Sequence, residues 1–152
     1  MRYYIKVLFV ALTVFFILFF MSCATGPEPI RFGEDMCSFC KMTIMDQKFG
    51  AEIVTAKGKV YKFDAAECML GFADKGYLEG READQYLVVN TSLPGTLIDA
   101  TASYYLISEN FPSPMGGNIS AYETEDAVNK AHDEFEGEVF DWDGLRKRQN
   151  SN

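Results

Sequence analysis

Residues 49–76 read FGAEIVTAKGKVYKFDAAECMLGFADKG, and this stretch decides the fold. Residues 49–55 and 59–63 are rich in β-branched and aromatic side chains, which are typical of two paired strands. The three residues between them include Gly58, which supplies the positive φ that a tight hairpin turn requires. The stretch therefore begins with a predicted β-hairpin.

A helix is predicted directly after this hairpin, over residues 65–75. Asp64 stands at the N-cap position, and Glu67 three residues later completes a capping box. Gly76 is placed to end the helix. Apolar residues at helical spacing mark an inner face, namely Met69, Phe72 and Ala73. Met69 is accordingly expected in the core.

The second half of the chain repeats this order of elements more loosely. A strand over residues 86–90 completes the first unit, and Pro94-Gly95 marks a turn after it. The second unit is predicted to contain strands over 104–108 and 118–122, a helix from Thr124 to Glu136, and a strand over 138–140. The fold class is therefore α+β, with two small related β-β-α-β modules.

The modules are assigned to residues 35–93 and 94–145, followed by a flexible tail over 146–152. Asp99, near the start of the second module, is expected to cap a short turn. The acidic residues of segment 123–138 are expected to form the solvated face of its helix.

The N-terminus resembles the leader of a bacterial lipoprotein. A basic head precedes an apolar run over residues 7–20, which is shorter than the roughly 20 residues of a membrane span. A serine and Cys23 follow it, as at a lipoprotein cleavage site, although Phe20 replaces the usual leucine. We expect residues 1–22 to be a signal peptide and Cys23 to carry the lipid.

Residues 23–34 would then be the tether of a protein anchored to the membrane outside the cytoplasm. Two alternatives for the leader are a membrane-anchoring helix with an incidental cysteine, and simple secretion.

Composition excludes several classes of function. The 152 residues contain 14 basic and 22 acidic side chains, and the net charge is −8. Nucleic-acid binding depends on neutralising phosphates with Lys and Arg, so this balance argues against it. The length accommodates one core or two very small modules, and it is too short for a large multidomain enzyme.

Sulfur ligands are the main candidate chemistry. Cys37, Cys40 and Met42 form a C-x-x-C-x-M cluster before the first strand, Cys68 lies in the first helix, and Met115 lies in a Pro-Met-Gly loop. Thiolate and thioether ligands select soft ions, above all Cu(I). A thioether has no proton to lose, so a mixed site binds less tightly than an all-thiolate site and can release its ion.

Other interpretations of the cysteine pair remain open at this point. Cys37, Cys40 and Cys68 with His132 would make four zinc ligands, although His132 is more typical of a solvated surface position. A thiol oxidoreductase and a Cys37–Cys40 disulfide are further alternatives. A c-type haem site is excluded, because Lys41 stands where the histidine is required.

The sequence as a whole resembles the NosL family, the accessory lipoproteins of bacterial nitrous oxide reductase. Besides the leader, the resemblance rests on residues 35–44 (DMCSFCKMTI), 58–64 (GKVYKFD) with Cys68-Met69, 98–100 (IDA) with Tyr104-Tyr105, and 114–117 (PMGG). It differs from the family pattern at Lys41, where glycine is common and where a cation should favour thiolate. It also differs at Leu97, where tryptophan is common; this is interpreted as a core substitution.

The resemblance implies a small copper-binding protein of two β-β-α-β modules, distantly similar to organomercurial lyase. It implies Cu(I) as the bound ion, with Cys40 and Met115 as ligands and Cys37 and Met42 as helpers. It implies delivery of copper to apo nitrous oxide reductase through a membrane assembly complex, from a lipid-anchored position on the periplasmic side.

Two other functions remain as alternatives to a non-enzymatic carrier. One is a thiol-dependent oxidoreductase or a lyase-like enzyme, which requires a proton donor beside the thiols. The other is a structural lipoprotein held together by zinc.

Overall fold

The computed structural model describes residues 26–78 and 80–150. The predicted signal peptide, the lipidation site at Cys23 and the first residues of the tether lie outside this part of the chain. Within the described residues, no helix combines the length and the apolar character needed to span a bilayer.

The first half forms a four-stranded antiparallel sheet that carries one helix. The spatial order is β2-β1-β3-β4. The elements are β1 (Ala51–Thr55), β2 (Val60–Phe63), helix α1 (Ala66–Asp74), β3 (Ala83–Val89) and β4 (Leu97–Asp99). All of β1 is buried, as expected of a central strand with neighbours on both edges. The predicted hairpin and the helix after it are confirmed.

The second half forms a three-stranded antiparallel sheet in the order β6-β5-β7. The elements are β5 (Tyr104–Ile107), β6 (Ile119–Tyr122), helix α2 (Glu125–Phe135), β7 (Glu138–Phe140) and helix α3 (Trp142–Asn150). Thr124 caps α2, because its side chain accepts a hydrogen bond from the N–H of Ala127. The α+β class and the second β-β-α-β order are confirmed.

The start of α1 differs from the capping box predicted for it. The N-cap residue is Ala65, and no side chain caps the helix. Asp64 and Glu67 instead bond to groups far away in the chain, as described below. The end of the helix is as predicted, since Gly76 has φ 72° and donates its N–H to the carbonyl of Ala73 at 3.1 Å.

Two of the predicted boundaries also need correction. Strand β4 pairs with β3, so the first sheet continues past the border expected at residue 94. Within the segment predicted as a flexible tail, residues 146–150 are helical, because α3 extends to Asn150. Leu145 is buried in the core and Arg146 forms an ion pair with Asp74 at 2.7 Å, which fixes this helix on the first half of the molecule.

A single main core joins the two sheets. Tyr105, Ala121 and Leu145 of the second half lie in the same buried cluster as Ile53 and Phe63 of the first. Leu97 is partly buried against this cluster, in agreement with its interpretation as a core substitution. The two modules therefore share this core, and the second module adds a smaller buried cluster of Leu106, Tyr122, Val128 and Ala131.

The predicted tether is fixed to the first sheet from residue 28 onward. The N–H of Glu28 bonds to the carboxylate of Glu52 at 3.0 Å, and Ile30 is buried in the core. The ammonium of Lys62 bonds to the carboxylate of Asp35 at 2.8 Å. These contacts fix the chain immediately before the C-x-x-C motif and so determine where the motif begins.

Candidate metal centre

The C-x-x-C motif lies in a small hairpin ahead of the first sheet. Met36 pairs with Thr43 in an antiparallel bridge, and the N–H of Cys37 bonds to the carbonyl of Met42 at 2.8 Å. This bond places Met42 across the hairpin from Cys37. The N–H of Ser38 bonds to the carbonyl of Lys62 at 2.7 Å and attaches the hairpin to β2.

The turn of this hairpin passes through Lys41, which has a positive φ of 66°. The N–H of Lys41 bonds to the carbonyl of Cys37 at 3.1 Å, and its ammonium bonds to the carbonyl of Ser38 at 2.7 Å. The turn therefore folds Cys40 back toward Cys37. Lys41 does not lower the pKa of Cys40 as expected from the sequence; burial raises it.

Three thiols converge at this point. The sulfur atoms of Cys37, Cys40 and Cys68 all lie within 4.8 Å of one another, and all three residues are free cysteines. Cys68 comes from the first turn of α1, so the cluster joins the hairpin to the helix. Cys37 and Cys68 are buried, and Cys40 is partly exposed. One ion could contact all three sulfurs, and Cys40 would be the ligand nearest to solvent.

Hydrogen bonds stabilise a negative charge on Cys37. The hydrogen bond from the Cys68 thiol makes the largest contribution. Hydrogen bonds from the backbone N–H groups of Asp64, Cys40 and Phe39 add to it. Together they hold the pKa of Cys37 well below its usual range, although burial acts against them. The same contact with Cys37 raises the pKa of Cys68. In this pair, Cys37 has the character of a thiolate and Cys68 that of the thiol that donates a hydrogen bond to it.

A buried carboxyl group lies beside the cluster. Asp64, which was predicted to cap α1, accepts a hydrogen bond from the backbone N–H of Met45 and is buried near Cys37. Burial is the main cause that raises the pKa of Asp64, and the charge of Cys37 adds to it. The carboxyl group therefore ties the segment after the C-x-x-C hairpin to the end of β2.

The loop that carries Met115 is attached to α1 through Glu67. The Ser113 hydroxyl and the N–H of Gly117 both donate to Glu67 Oε1, the latter at 3.1 Å. A Cβ atom on Gly117 would lie 2.9 Å from the Glu67 carboxyl carbon, so only glycine fits this close approach. Glu67 precedes Cys68 in the chain, and the loop is thus bound to the turn of helix that supplies the third thiol.

We expect Glu67→Ala to release this loop, because it removes the acceptor shared by Ser113 and Gly117. Glu67→Gln keeps a carbonyl oxygen in that position and should largely restore the contact. Proteolysis of the loop or exchange of the Gly117 amide measures the release, with at least about tenfold faster exchange in the alanine variant. Equal exchange in both variants and the wild type would show that Glu67 does not hold the loop.

The structure places the predicted ligands as follows. Cys37 and Cys40 lie together, and Met42 lies opposite Cys37 with 52% of its surface exposed. Met115 is 36% exposed on the Glu67-bound loop and is not part of the thiol cluster. The roles of these four residues as metal ligands stay predictions.

Cys68 is the residue that the proposed copper ligand set lacked. The sequence places it among the sulfur candidates and as one possible zinc ligand, without joining it to the copper ligands. Its position is explained by the fold, since Cys68 lies about one helical turn past the end of β2, to which the hairpin bonds. His132 is exposed on α2 and is not in the thiol cluster, so it is not placed to complete a zinc site with the three thiols.

Comparisons with known proteins agree with this fold. The sequence model of the NosL family matches residues 30–149. Among solved structures, the fold is similar to that of the copper chaperone NosL from Shewanella denitrificans, with a TM-score of 0.66 at 17% identity. The match covers 80% of this chain and 96% of that one. No curated protein sequence matches the chain.

Proposed function

The chain belongs to the NosL family, and on that premise we propose that it is a Cu(I) carrier whose binding centre is the Cys37, Cys40 and Cys68 cluster. The observation that carries the proposal is the convergence of three thiols within 4.8 Å. Thiolate sulfur is the ligand type that Cu(I) prefers, and all three members of the cluster are cysteines. The similarity of fold to a copper chaperone supports the proposal.

The lowered pKa of Cys37 makes its sulfur the most readily ionised ligand of the three. Cu(I) binds to the Cys37 thiolate and displaces the protons of Cys68 and Cys40, because a metal-bound thiol is deprotonated. The burial of Cys37 and Cys68 protects the bound ion from solvent. Met42 and Met115 are the neutral ligands proposed to bind the ion from the hairpin and from the second half.

Release proceeds by exchange of ligands with a partner. Cys40 is the partly exposed thiol, so a soft ligand of the acceptor approaches the ion on that side. The ion passes from sulfur to sulfur and is never free. The difference between the affinities of carrier and acceptor sets the direction of transfer.

The cellular setting in this proposal comes from the family resemblance. The lipid on Cys23 anchors the protein on the periplasmic side of a bacterial membrane. The recipient is apo nitrous oxide reductase, which is reached through its membrane assembly complex and receives copper for its copper–sulfide centre. The carrier has no catalytic residues in this scheme.

A Cu(I) titration under anaerobic, reducing conditions tests the proposal, in competition with a chelator that colours on binding Cu(I). We expect one ion per chain, loss of tight binding in Cys40→Ser, and weaker but persistent binding in Met115→Leu. Unchanged competition in both variants would contradict the ligand assignment. Zinc that copper cannot displace would favour the structural alternative, and turnover of an organomercurial or disulfide substrate would favour the enzyme.

Oxidation should prevent loading with copper. The three sulfurs are close enough for a disulfide to form between two of them after small movements, and a disulfide is a poor ligand. We expect protein treated with a thiol oxidant to take up less than about a tenth of the copper bound by reduced protein. Recovery after reduction is the control. Equal loading of oxidised and reduced protein would contradict a thiolate site.

A further inference from the structure

A cleft opens on the surface directly beside the C-x-x-C hairpin. Its volume is about 620 Å³, and its walls include Phe39 and Lys41 of the hairpin together with Lys59 and Tyr61 of the adjoining β-hairpin. The cleft is therefore lined by residues on both sides of Cys40 in the chain, and Cys40 is the partly exposed thiol of the cluster.

Aromatic rings form the floor of this cleft. The rings of Tyr61 and Phe72 lie 4.9 Å apart, those of Phe72 and Tyr77 lie 5.6 Å apart, and those of Phe39 and Tyr77 lie 6.0 Å apart. Half of the surface of Tyr77 is exposed. Tyr77 and the partly exposed Phe39 therefore offer apolar surface to an incoming side chain, whereas Tyr61 and Phe72 are buried.

Positive charge surrounds the cleft. The ammonium groups of Lys59 and Lys75 lie over the rings of Tyr61 and Phe39, at 4.5 and 5.1 Å from the centroids, and that of Lys41 bonds to a carbonyl. Among the described residues, no carboxylate forms an ion pair with these three lysines. Their charges are therefore available to a partner.

The rest of the molecule has the opposite charge. Residues 94–150 contain 11 acidic side chains and four basic ones, three of which lie on α3, whereas residues 35–93 contain nine acidic and seven basic ones. The acidic side chains of α2 are exposed, as expected from the sequence. A negatively charged partner is thus repelled from the second half and attracted to the lysines beside the thiol cluster.

We propose that the cleft is a docking site for an acidic polypeptide segment with an apolar side chain, carried by the protein that exchanges copper with this one. The carboxylates pair with Lys41, Lys59 and Lys75, and the apolar side chain packs on the aromatic floor. This inference rests on the proposed function, because docking there aligns the partner with the exposed edge of the thiol cluster.

Binding of peptides to the copper-free, full-length protein in neutral detergent tests the proposal. One peptide alternates glutamate with leucine, and the other alternates lysine with leucine. We expect calorimetry at low salt to show binding of the glutamate peptide at least about tenfold tighter, and weaker binding as salt is raised. Tighter binding of the lysine peptide, which the net charge of −8 alone would produce, overturns the proposal.

A matched pair of variants locates the effect. Lys59→Glu reverses a charge in the cleft, and Lys57→Glu reverses a charge on the same hairpin outside its lining. We expect Lys59→Glu to weaken binding of the glutamate peptide by about fivefold or more, and Lys57→Glu to weaken it by less than about twofold. Equal weakening would show that only the total charge matters, and the cleft proposal would fail.

Chelator competition separates this inference from the carrier function. Lys59→Glu should bind Cu(I) as the wild type does, since Lys59 is not among the proposed ligands. A wild-type protein that fails to hold Cu(I) would overturn the carrier function and with it the role of the cleft in copper exchange. Normal Cu(I) binding without peptide discrimination would overturn the cleft alone.

Discussion

Cys68→Ser is expected to weaken Cu(I) binding by about 100-fold or more, which corresponds to ~2.7 kcal/mol. The serine hydroxyl can still donate a hydrogen bond to the Cys37 sulfur, so the fold and the charge of Cys37 should persist. The variant loses only the third soft ligand. Because Cys68 lies within 4.8 Å of the other two thiols, its loss leaves a site with two thiolates.

Chelator competition measures this loss, and Met69→Leu is the matched control. Met69 is the neighbouring sulfur residue on α1, and it is fully buried in the core as predicted. Leucine conserves its volume and should leave Cu(I) affinity within about twofold of the wild type. Equal Cu(I) affinities of Cys68→Ser and Met69→Leu would show that Cys68 is not part of the binding centre.

The largest expected effect on stability is that of Gly137→Ala, at about 3 kcal/mol or more. Gly137 joins α2 to β7 with φ 117°, a conformation that residues with a Cβ rarely adopt. A Cβ atom there would lie 2.3 Å from the carbonyl oxygen of Ile107, which is part of the backbone of β5. The clash adds to the backbone strain because β5 is the central strand of the second sheet.

Urea unfolding of Gly137→Ala and of a control variant separates the contribution of the steric clash from that of backbone strain. Gly76→Ala is the control, since Gly76 has φ 72° and no heavy atom would lie within 4 Å of the added Cβ. It should cost about 1–2 kcal/mol from backbone strain alone. A Gly137→Ala variant no less stable than Gly76→Ala would contradict the steric part of the explanation.

Local sequence patterns predicted most of the fold. The first hairpin, α1 and the strands of the second half followed from residue spacing and turn residues, because each is stabilised by contacts near in sequence. Thr124 and Asp99 cap the segments that follow them, as expected. Strand β4 is too short to be recognised, and only its pairing with β3 defines it.

The same patterns failed where side chains bond over long distances. Asp64 and Glu67 fit a capping box, yet the former contacts the C-x-x-C segment and the latter binds the loop of Met115. A local motif cannot reveal that a distant donor competes for the same carboxylate. Residues 146–152 are predicted to be flexible because they form a chain terminus, but Leu145 and the ion pair of Arg146 hold α3 in place.

For the candidate site, the sequence predicted the cysteine pair and its preference for soft ions. It counted Cys68 among the sulfur residues but did not join it to the pair, since no local spacing relates a cysteine of α1 to the hairpin. The contact between Cys37 and Cys68 is a consequence of the tertiary fold, in which the hairpin bonds to β2 and α1 follows that strand.

X-ray absorption at the copper edge of anaerobically loaded protein tests the central claim most directly. The account predicts one Cu(I) per chain with only sulfur atoms in its first coordination shell, and fewer sulfur neighbours in Cys68→Ser. A first shell of nitrogen or oxygen atoms, or a spectrum unchanged by that substitution, would contradict a copper centre built on the three thiols.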